Sequence, residues 1–305
     1  KAKIGALALV ALILTVAVSA VSAGPYEEAR ERYQEALQTF NSAYTDWLGA
    51  MANFLQTRAQ WIQNRTQANL VNLIDKAKTS LLKADEIMIK RLQVLKIRVE
   101  ATRGLSDNEK TATYAEIDVD ISWLQGKQTD IQAADNVQEI RSVASTIWNY
   151  WQNVRVKIKQ IVGQILSAWV DALVQKAEAF AGRVEARIQQ LKDNGVDTSA
   201  LETWLDEYRS KLVLAEQKYD AAKDKFSQIS SMENATQLFK EGIAFIREGN
   251  SYLRDAFGRL RGIVSDMRNK GHTVTLTGSG TLIGYGSGSA YISGTGLVKV
   301  TTVQN

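Results

Sequence analysis

Between Tyr26 and Lys270 the chain has no proline, and its apolar residues recur in alternating steps of three and four. That spacing turns one stripe of side chains toward one side of an α-helix and leaves a strand with no apolar face to bury. A chain patterned in this way has to fold as helices packed on helices. The first stripe runs Tyr33, Leu37, Phe40, Tyr44, Trp47, Met51 and Phe54. It follows Pro25, which suits a first helical position because its missing N–H has no partner to lose there. A second runs Leu70, Ile74, Ala77, Leu81, Ala84, Met88, Leu92, Leu95 and Val99, after a polar stretch from Asn64 to Asn69 that is either a tight turn or an exposed turn of one helix.

Gly104-Leu105-Ser106 breaks the pattern, and Ser106 with Glu109 forms a capping box that opens a shorter helix to about Asp130. Asp135 is the expected cap of the next helix, whose stripe is Ile140, Ala144, Ile147, Trp151, Val154, Ile158, Ile161 and Ile165. It continues through Trp169, Leu173, Ala177, Phe180, Val184, Ile188 and Leu191. Unbroken from Asn136 to Lys192, this helix would be about 85 Å long at 1.5 Å per residue. Asp193-Asn194-Gly195 supplies a glycine for a left-handed C′ position, and Thr198 or Ser199 caps the following helix.

That helix carries Leu201, Leu205, Tyr208, Leu212, Ala215, Tyr219, Ala222, Phe226 and Ile229. The last carries Leu238, Gly242, Phe245, Gly249, Tyr252, Ala256, Leu260, Ile263 and Met267, its glycines leaving room for Tyr or Phe opposite, until Gly271 stops it. Gly104-Leu105-Ser106 parallels Gly195-Val196-Asp197 at an offset of 91, and Asp135 to Ile140 parallels Glu233 to Leu238 at 98. The difference is one heptad, the insertion that keeps a seam in phase, so an imperfect duplication is expected. The expected domains are a first bundle unit over 24–165, a second over 166–270 that shares the long helix 136–192, and a tail over 271–305.

The two ends differ from this body. Lys1 and Lys3 precede an uncharged run from Ile4 to Ala23 that closes on Val21-Ser22-Ala23, the order of a secretory signal. The same 20 apolar residues reach about 30 Å and would also serve as a retained membrane anchor or, as in a pilin, a filament core. Each reading sends the rest of the chain outside the cytoplasm. After Lys270, Gly278-Ser279-Gly280, Gly286-Ser287-Gly288 and Gly294-Thr295-Gly296 recur every eight residues, with Lys299 the only residue there of formal charge. Short β-branched runs between Gly-x-Gly turns predict a small antiparallel β segment, marginal alone and suited to capping its own bundle or pairing with another copy.

Little in the chain points to chemistry. Without cysteine, disulfides, zinc thiolates and thiol nucleophiles are excluded. A net charge of +4, or +2 without Lys1 and Lys3, is too small and too evenly spread for nucleic acid. The single histidine, His272, cannot build a multi-histidine metal site. No phosphate-binding loop of the G-x-x-x-x-G-K-S/T type is present, and Gly278-Ser279-Gly280 lacks the strand–turn–helix setting of a dinucleotide fingerprint. Asp118-Val119-Asp120 fails the calcium-loop pattern and reads as a solvated helix face. We expect no catalytic residue, no metal and no cofactor. Trp148, flanking Tyr150 and Trp151, is a candidate ligand contact, and Asn64 and Asn234, each in an N-x-T triplet, are candidate glycan acceptors.

This layout of export segment, helical bundle and glycine-rich tail, with the Gly195 to Ser199 loop, resembles secreted helical surface proteins of archaea and bacteria. The two bundles sharing a long helix are similar in topology to tandem spectrin-type repeats. The resemblance implies a mainly α, non-enzymatic, secreted or cell-surface structural protein, with residues 272–305 as a contact module that either caps its own bundle or self-associates. The alternative is an extracytoplasmic binding module that holds a hydrophobic or glycan ligand between helices.

Overall fold

A computed structural model describes residues 25–102 and 104–269 of the chain. They form six helices: α1 (Pro25–Gln63), α2 (Gln67–Glu100), α3 (Asp107–Ala133), α4 (Val137–Asp193), α5 (Ser199–Ser227) and α6 (Met232–Asn269). The described chain is a helical bundle, as the apolar spacing requires. The expectations for residues 1–24 and for the tail, including its β strands and His272, lie outside the described residues.

Local chemistry explains where the helices begin and end. The polar stretch after α1 is a turn: Thr66 has extended backbone and its Oγ1 accepts from the N–H of Asn69 at 3.2 Å, capping α2. Ser106 and Glu109 form the expected capping box, with the Ser106 N–H donating to Glu109 Oε2 at 2.7 Å and the Glu109 N–H donating to Ser106 Oγ at 3.3 Å. One cap is displaced by a residue. Asn136, rather than Asp135, accepts from the N–H of Glu139 at 3.0 Å, while Glu139 reaches back to the Asp135 N–H at 2.7 Å. At the far end of α4, Gly195 takes φ +77°, its N–H bonds the Lys192 carbonyl, and the Val196 N–H bonds the Leu191 carbonyl. That pair of bonds is the Schellman closure, and the left-handed φ is what calls for glycine.

The helices divide into two compact units. The larger holds Glu28–Ala168 and Phe226–Phe239, and the smaller holds Trp169–Lys225 with 240–269 and the first described residues 25–27. In the smaller unit every expected stripe residue of α5 from Leu201 to Ala222 is buried, and Trp204 joins them at 1% exposed. Trp204, Tyr208, Phe180 and Phe257 interlock with ring centroids 5.1 to 6.4 Å apart. Their polar tips are satisfied: Trp204 Nε1 donates to the Ala256 carbonyl at 2.9 Å and the Tyr208 hydroxyl to the Ala177 carbonyl at 3.2 Å. Such rings each contribute about 1.5–3 kcal/mol through burial, provided the polar tip keeps a partner.

The larger unit departs from a single stripe per helix. On α2 a second row, Leu73, Ser80, Ile87 and Val94, is buried at seven-residue spacing beside Leu92, Leu95 and Val99. This helix is therefore covered on two sides. Six of the nine residues of the expected α2 stripe, from Leu70 to Met88, are only half-buried. The buried face also changes along α4: Trp169, expected in the seam, is 36% exposed, whereas Val170 is fully buried. On a straight helix Trp169 stands within about 20° of Ile140 and Val170 about 120° from it, so helical drift does not explain the exchange, which falls where the larger unit ends at Ala168 and the smaller begins at Trp169.

Two glycines mark close packing between helices. A Cβ on Gly163 would stand 2.8 Å from Cβ of Phe226, and one on Gly249 would stand 2.5 Å from the buried Tyr219 ring. Gly126, in the exposed middle of α3, has nothing within 4 Å of that position. Gly163→Ala should lower the urea midpoint, because overpacking of about 1–3 kcal/mol outweighs a helix-propensity gain of about 1 kcal/mol. Gly126→Ala, which gains propensity without a clash, should raise it. Equal effects from the two substitutions would show that the α4 contact is slack.

Candidate functional site

Trp148, Tyr150 and Trp151 occupy one turn of α4, and at 100° per residue they leave the helix in different directions. Trp151 lies in the core at 7% exposed, while Trp148 stands out at 52%. Tyr150 stacks on Trp123 of α3 with centroids 3.7 Å apart and planes inclined by 14°. Trp148 is thus an exposed indole without the other two as a shared platform.

The two N-x-T triplets meet helix termini. Asn64 follows α1 and is exposed, but the Thr66 hydroxyl of its triplet is engaged as the α2 cap. Asn234 is in the first turn of α6, where its Oδ1 accepts from the N–H groups of Ser230 and Ser231 at 3.4 and 3.2 Å. Its Nδ2 donates to the Gln228 carbonyl at 3.4 Å. Thr236 of that triplet accepts from Lys159 Nζ at 2.9 Å.

One residue of the expected solvated face at Asp118-Val119-Asp120 is buried. Asp118 is exposed and pairs with Lys96 at 2.6 Å, whereas Asp120 is 1% exposed. Lys157 Nζ donates to both Asp120 oxygens at 2.9 and 2.8 Å, and the Tyr150 hydroxyl donates to Oδ1 at 2.6 Å. Burial, then the bond to Asp120 and its charge, push the Tyr150 hydroxyl well above the usual tyrosine range, which keeps it protonated as a donor. Tyr150 and Lys157 are seven residues apart and share a face of α4, an aromatic-to-cation heptad that a purely apolar count passes over. Among the described residues no three Asp, Glu, His or Cys side chains converge as a metal site.

A groove of about 710 Å³ runs along the larger unit, lined by residues of α1, α2 and α3 that include Arg32, Thr39, Lys90, Lys96 and Tyr114. Two of its three cations are already committed. Arg32 grips Glu100 through two nitrogens at 3.1 and 2.8 Å, and Lys96 holds Asp118 while lying 5.4 Å from the Tyr114 ring centre. Such exposed pairs contribute about 0–1 kcal/mol each, enough to orient the lining but not to make it reactive.

Deeper charges in the same unit are less fully matched. Asp85 is fully buried, Gln128 Nε2 donates to its Oδ2 at 2.9 Å, and its Oδ1 has no partner. Burial raises this carboxyl to about 6, against a weaker lowering by the Gln128 bond. On the opposite charge balance, Lys159 of α4 is 9% exposed and meets the Thr236 hydroxyl rather than a carboxylate. Arg155, one turn before it, donates to Gln152 Oε1 at 3.2 Å, and Gln152 Nε2 is buried without a partner. Arg91 of α2 is lowered to about 10, first by burial and then by the charge of Arg155. Lys159 is lowered too, by burial and then by Arg155 and Arg91. These three cations were not legible in the sequence, because a charged residue at a seam-flanking position reads as a solvated one.

The Asp85 carboxyl sets a pH dependence whose sign follows from its raised value. Its ionisation cost is absent below the unfolded pKa of 3.8, grows as pH rises through 4 to 6, and is complete above about 6. Asp85→Asn removes that term, so its melting temperature relative to the unaltered protein should climb between pH 4 and pH 7. A pH-independent difference would show that Asp85 ionises in the fold as freely as in water. No family model, no curated protein and no solved structure matches this chain, so its function rests on the geometry.

Proposed function

We propose that this is an exported, non-enzymatic structural protein of the secreted or cell-surface kind. In this reading its helical units are a scaffold and its glycine-rich tail, a short antiparallel β segment, is the contact with other copies. The reading keeps the kinship with secreted helical surface proteins as part of the proposal. The observation that carries it is where the charged side chains are used. In the larger unit Arg32–Glu100, Lys83–Asp46, Lys96–Asp118 and Lys157–Asp120 each tie one helix to the next. In the smaller, Arg209–Glu185, Lys223–Asp171, Lys218–Glu248 and Lys225–Glu241 do the same. A scaffold spends its polar groups on its own geometry in this way.

The segment from Ile4 to Ala23 is, in this proposal, the export signal or anchor. Among the described residues no helix is long and apolar enough to cross a membrane. The uncharged tail supplies strands whose edges carry almost no charge to discourage pairing with a second copy. A second reading, a binding module for a hydrophobic or glycan ligand, is favoured by the half-exposed indole of Trp148.

Light scattering on residues 24–305 and on the same chain ended at Lys270 separates the two. The scaffold reading expects a concentration-dependent oligomer that becomes monomeric when the tail is removed. Monomers in both samples, with ligand-dependent protection of Trp148 fluorescence from quenching, would replace it with the binding reading.

A further inference from the structure

Helix α1 is apolar on two opposite sides. Thr57 is buried on the side that packs inward, and Leu55, two residues and about 200° away, is 51% exposed. Leu48 at 46% and Ile62 at 53% stand one heptad to either side of Leu55, with the exposed Ala52 and Ala59 between them. The outward side therefore carries an unbroken apolar row. Val71, in the first turns of α2, is 58% exposed. Four of the nine large apolar side chains exposed among the described residues fall between 48 and 71, which is a concentration rather than the usual scatter.

This row lies where the larger unit thins to two helices. The Arg32–Glu100 and Lys83–Asp46 pairs set α1 antiparallel to α2. α3 ends at Ala133, level with Lys78, whose Nζ donates to the Gln132 carbonyl at 2.8 Å, and α4 starts from the turn that follows. α2 begins at Gln67, so the ends of α1 and α2 reach about 16 Å past that level. Within this unit that end is a two-helix hairpin, which buries Thr57 and Leu73 and leaves the outward side uncovered.

Charge is arranged to match. From Trp47 to Ile74 the chain holds no Asp, Glu or Lys, and its only cations there are Arg58 and Arg65. Arg65, in the turn, lies 5.3 Å from the ring centre of the half-buried Trp61. An indole beside an arginine, at the end of an apolar face without carboxylates, suits the headgroup layer of a bilayer.

We propose that the end of the α1–α2 hairpin docks on the surface of an anionic lipid bilayer, with Leu48, Leu55, Ile62 and Val71 as apolar contacts and Arg58 and Arg65 as cations. Charge complementarity selects this occupant over a second copy. A symmetric pairing along the same face would set two positive faces against each other, and its seam of two heptads is shorter than the roughly three or four that mark a coiled coil. The contact is with one leaflet, because a reach of about 16 Å falls well short of a hydrocarbon core of about 30 Å and no described helix is apolar enough to cross. It uses neither residues 4–23 nor the tail, so it stands or falls separately from the scaffold reading. A glycan on Asn64, in the turn itself, would hold this end off a bilayer, so those two uses of the turn exclude each other.

The chain has no cysteine, so Ile62→Cys gives the full chain a single site for a nitrobenzoxadiazole label. Val119→Cys, 64% exposed on α3 beside the Lys96–Asp118 pair, carries the control label. Each is mixed with vesicles of phosphatidylglycerol and phosphatidylcholine in equal parts, with doxyl-labelled phosphatidylcholine as quencher. The Ile62→Cys label should shift to the blue and lose at least about half of its emission, while the Val119→Cys label keeps its own. Adding Leu55→Glu to the Ile62→Cys chain should abolish that loss and leave the melting temperature in buffer unchanged, since Leu55 is exposed. Equal quenching of the two labels, quenching undiminished by Leu55→Glu, or quenching as strong on phosphatidylcholine alone overturns the proposal. A blue shift that grows with protein concentration in buffer and is unaltered by vesicles assigns the face to a second copy and overturns it as well.

Discussion

A chain without cysteine has only burial and hydrogen bonding to hold it, and in this one burial depends on apolar stripes meeting across helices. The α5 seam shows the constraint at its tightest. Tyr208, Ala215 and Ala222 are fully buried and Tyr219 nearly so, a large and small alternation that lets a neighbouring helix come close. Gly249 completes that fit by leaving the space the Tyr219 ring occupies, and Asn250 accepts the Tyr219 hydroxyl at 2.7 Å. Removing apolar area there would remove the reason for the helix to dock, since the ion pairs around it are exposed and individually weak.

Helix identity and helix ends were the most legible features, because both are set by neighbours in sequence. The Ser106–Glu109 box and the Gly195 closure each need only a few adjacent residues, and both form as the sequence predicts. Buried faces were less legible. A seam read from apolar residues alone misses Ser80, Asp85, Arg98 and Asp120, which are buried and polar. Their burial depends on partners far away in the chain, such as Gln128 for Asp85 and Lys157 for Asp120, and no local pattern reports these. Trp148 stands outside the seam where the apolar spacing puts it, whereas Trp169, expected in the seam, is partly exposed at the start of the smaller unit.

The polar residues of α4 follow the same rule in its sharpest form. Gln152, Arg155 and Lys159 step along α4 at three and four residues, so they share a face, yet nothing in their spacing says that the face is covered.

The two units divide the polar burden unequally. Among the described residues, Thr57, Ser80, Asp85, Arg98, Thr102, Thr113, Asp120 and Lys159 are buried in the larger unit, and Thr198 alone in the smaller. Packing does not require this, because the smaller unit achieves full burial of Trp204, Tyr208 and Tyr219 with apolar neighbours and carbonyl acceptors. Breaking a buried charge pair such as Asp120–Lys157 costs about 3–5 kcal/mol, whereas an apolar replacement of the whole pair is often neutral or stabilising. In the larger unit such groups are held by partners from other helices, Lys157 and Tyr150 for Asp120 and Gln128 for Asp85, so its packing is fixed by directional bonds as well as by apolar area.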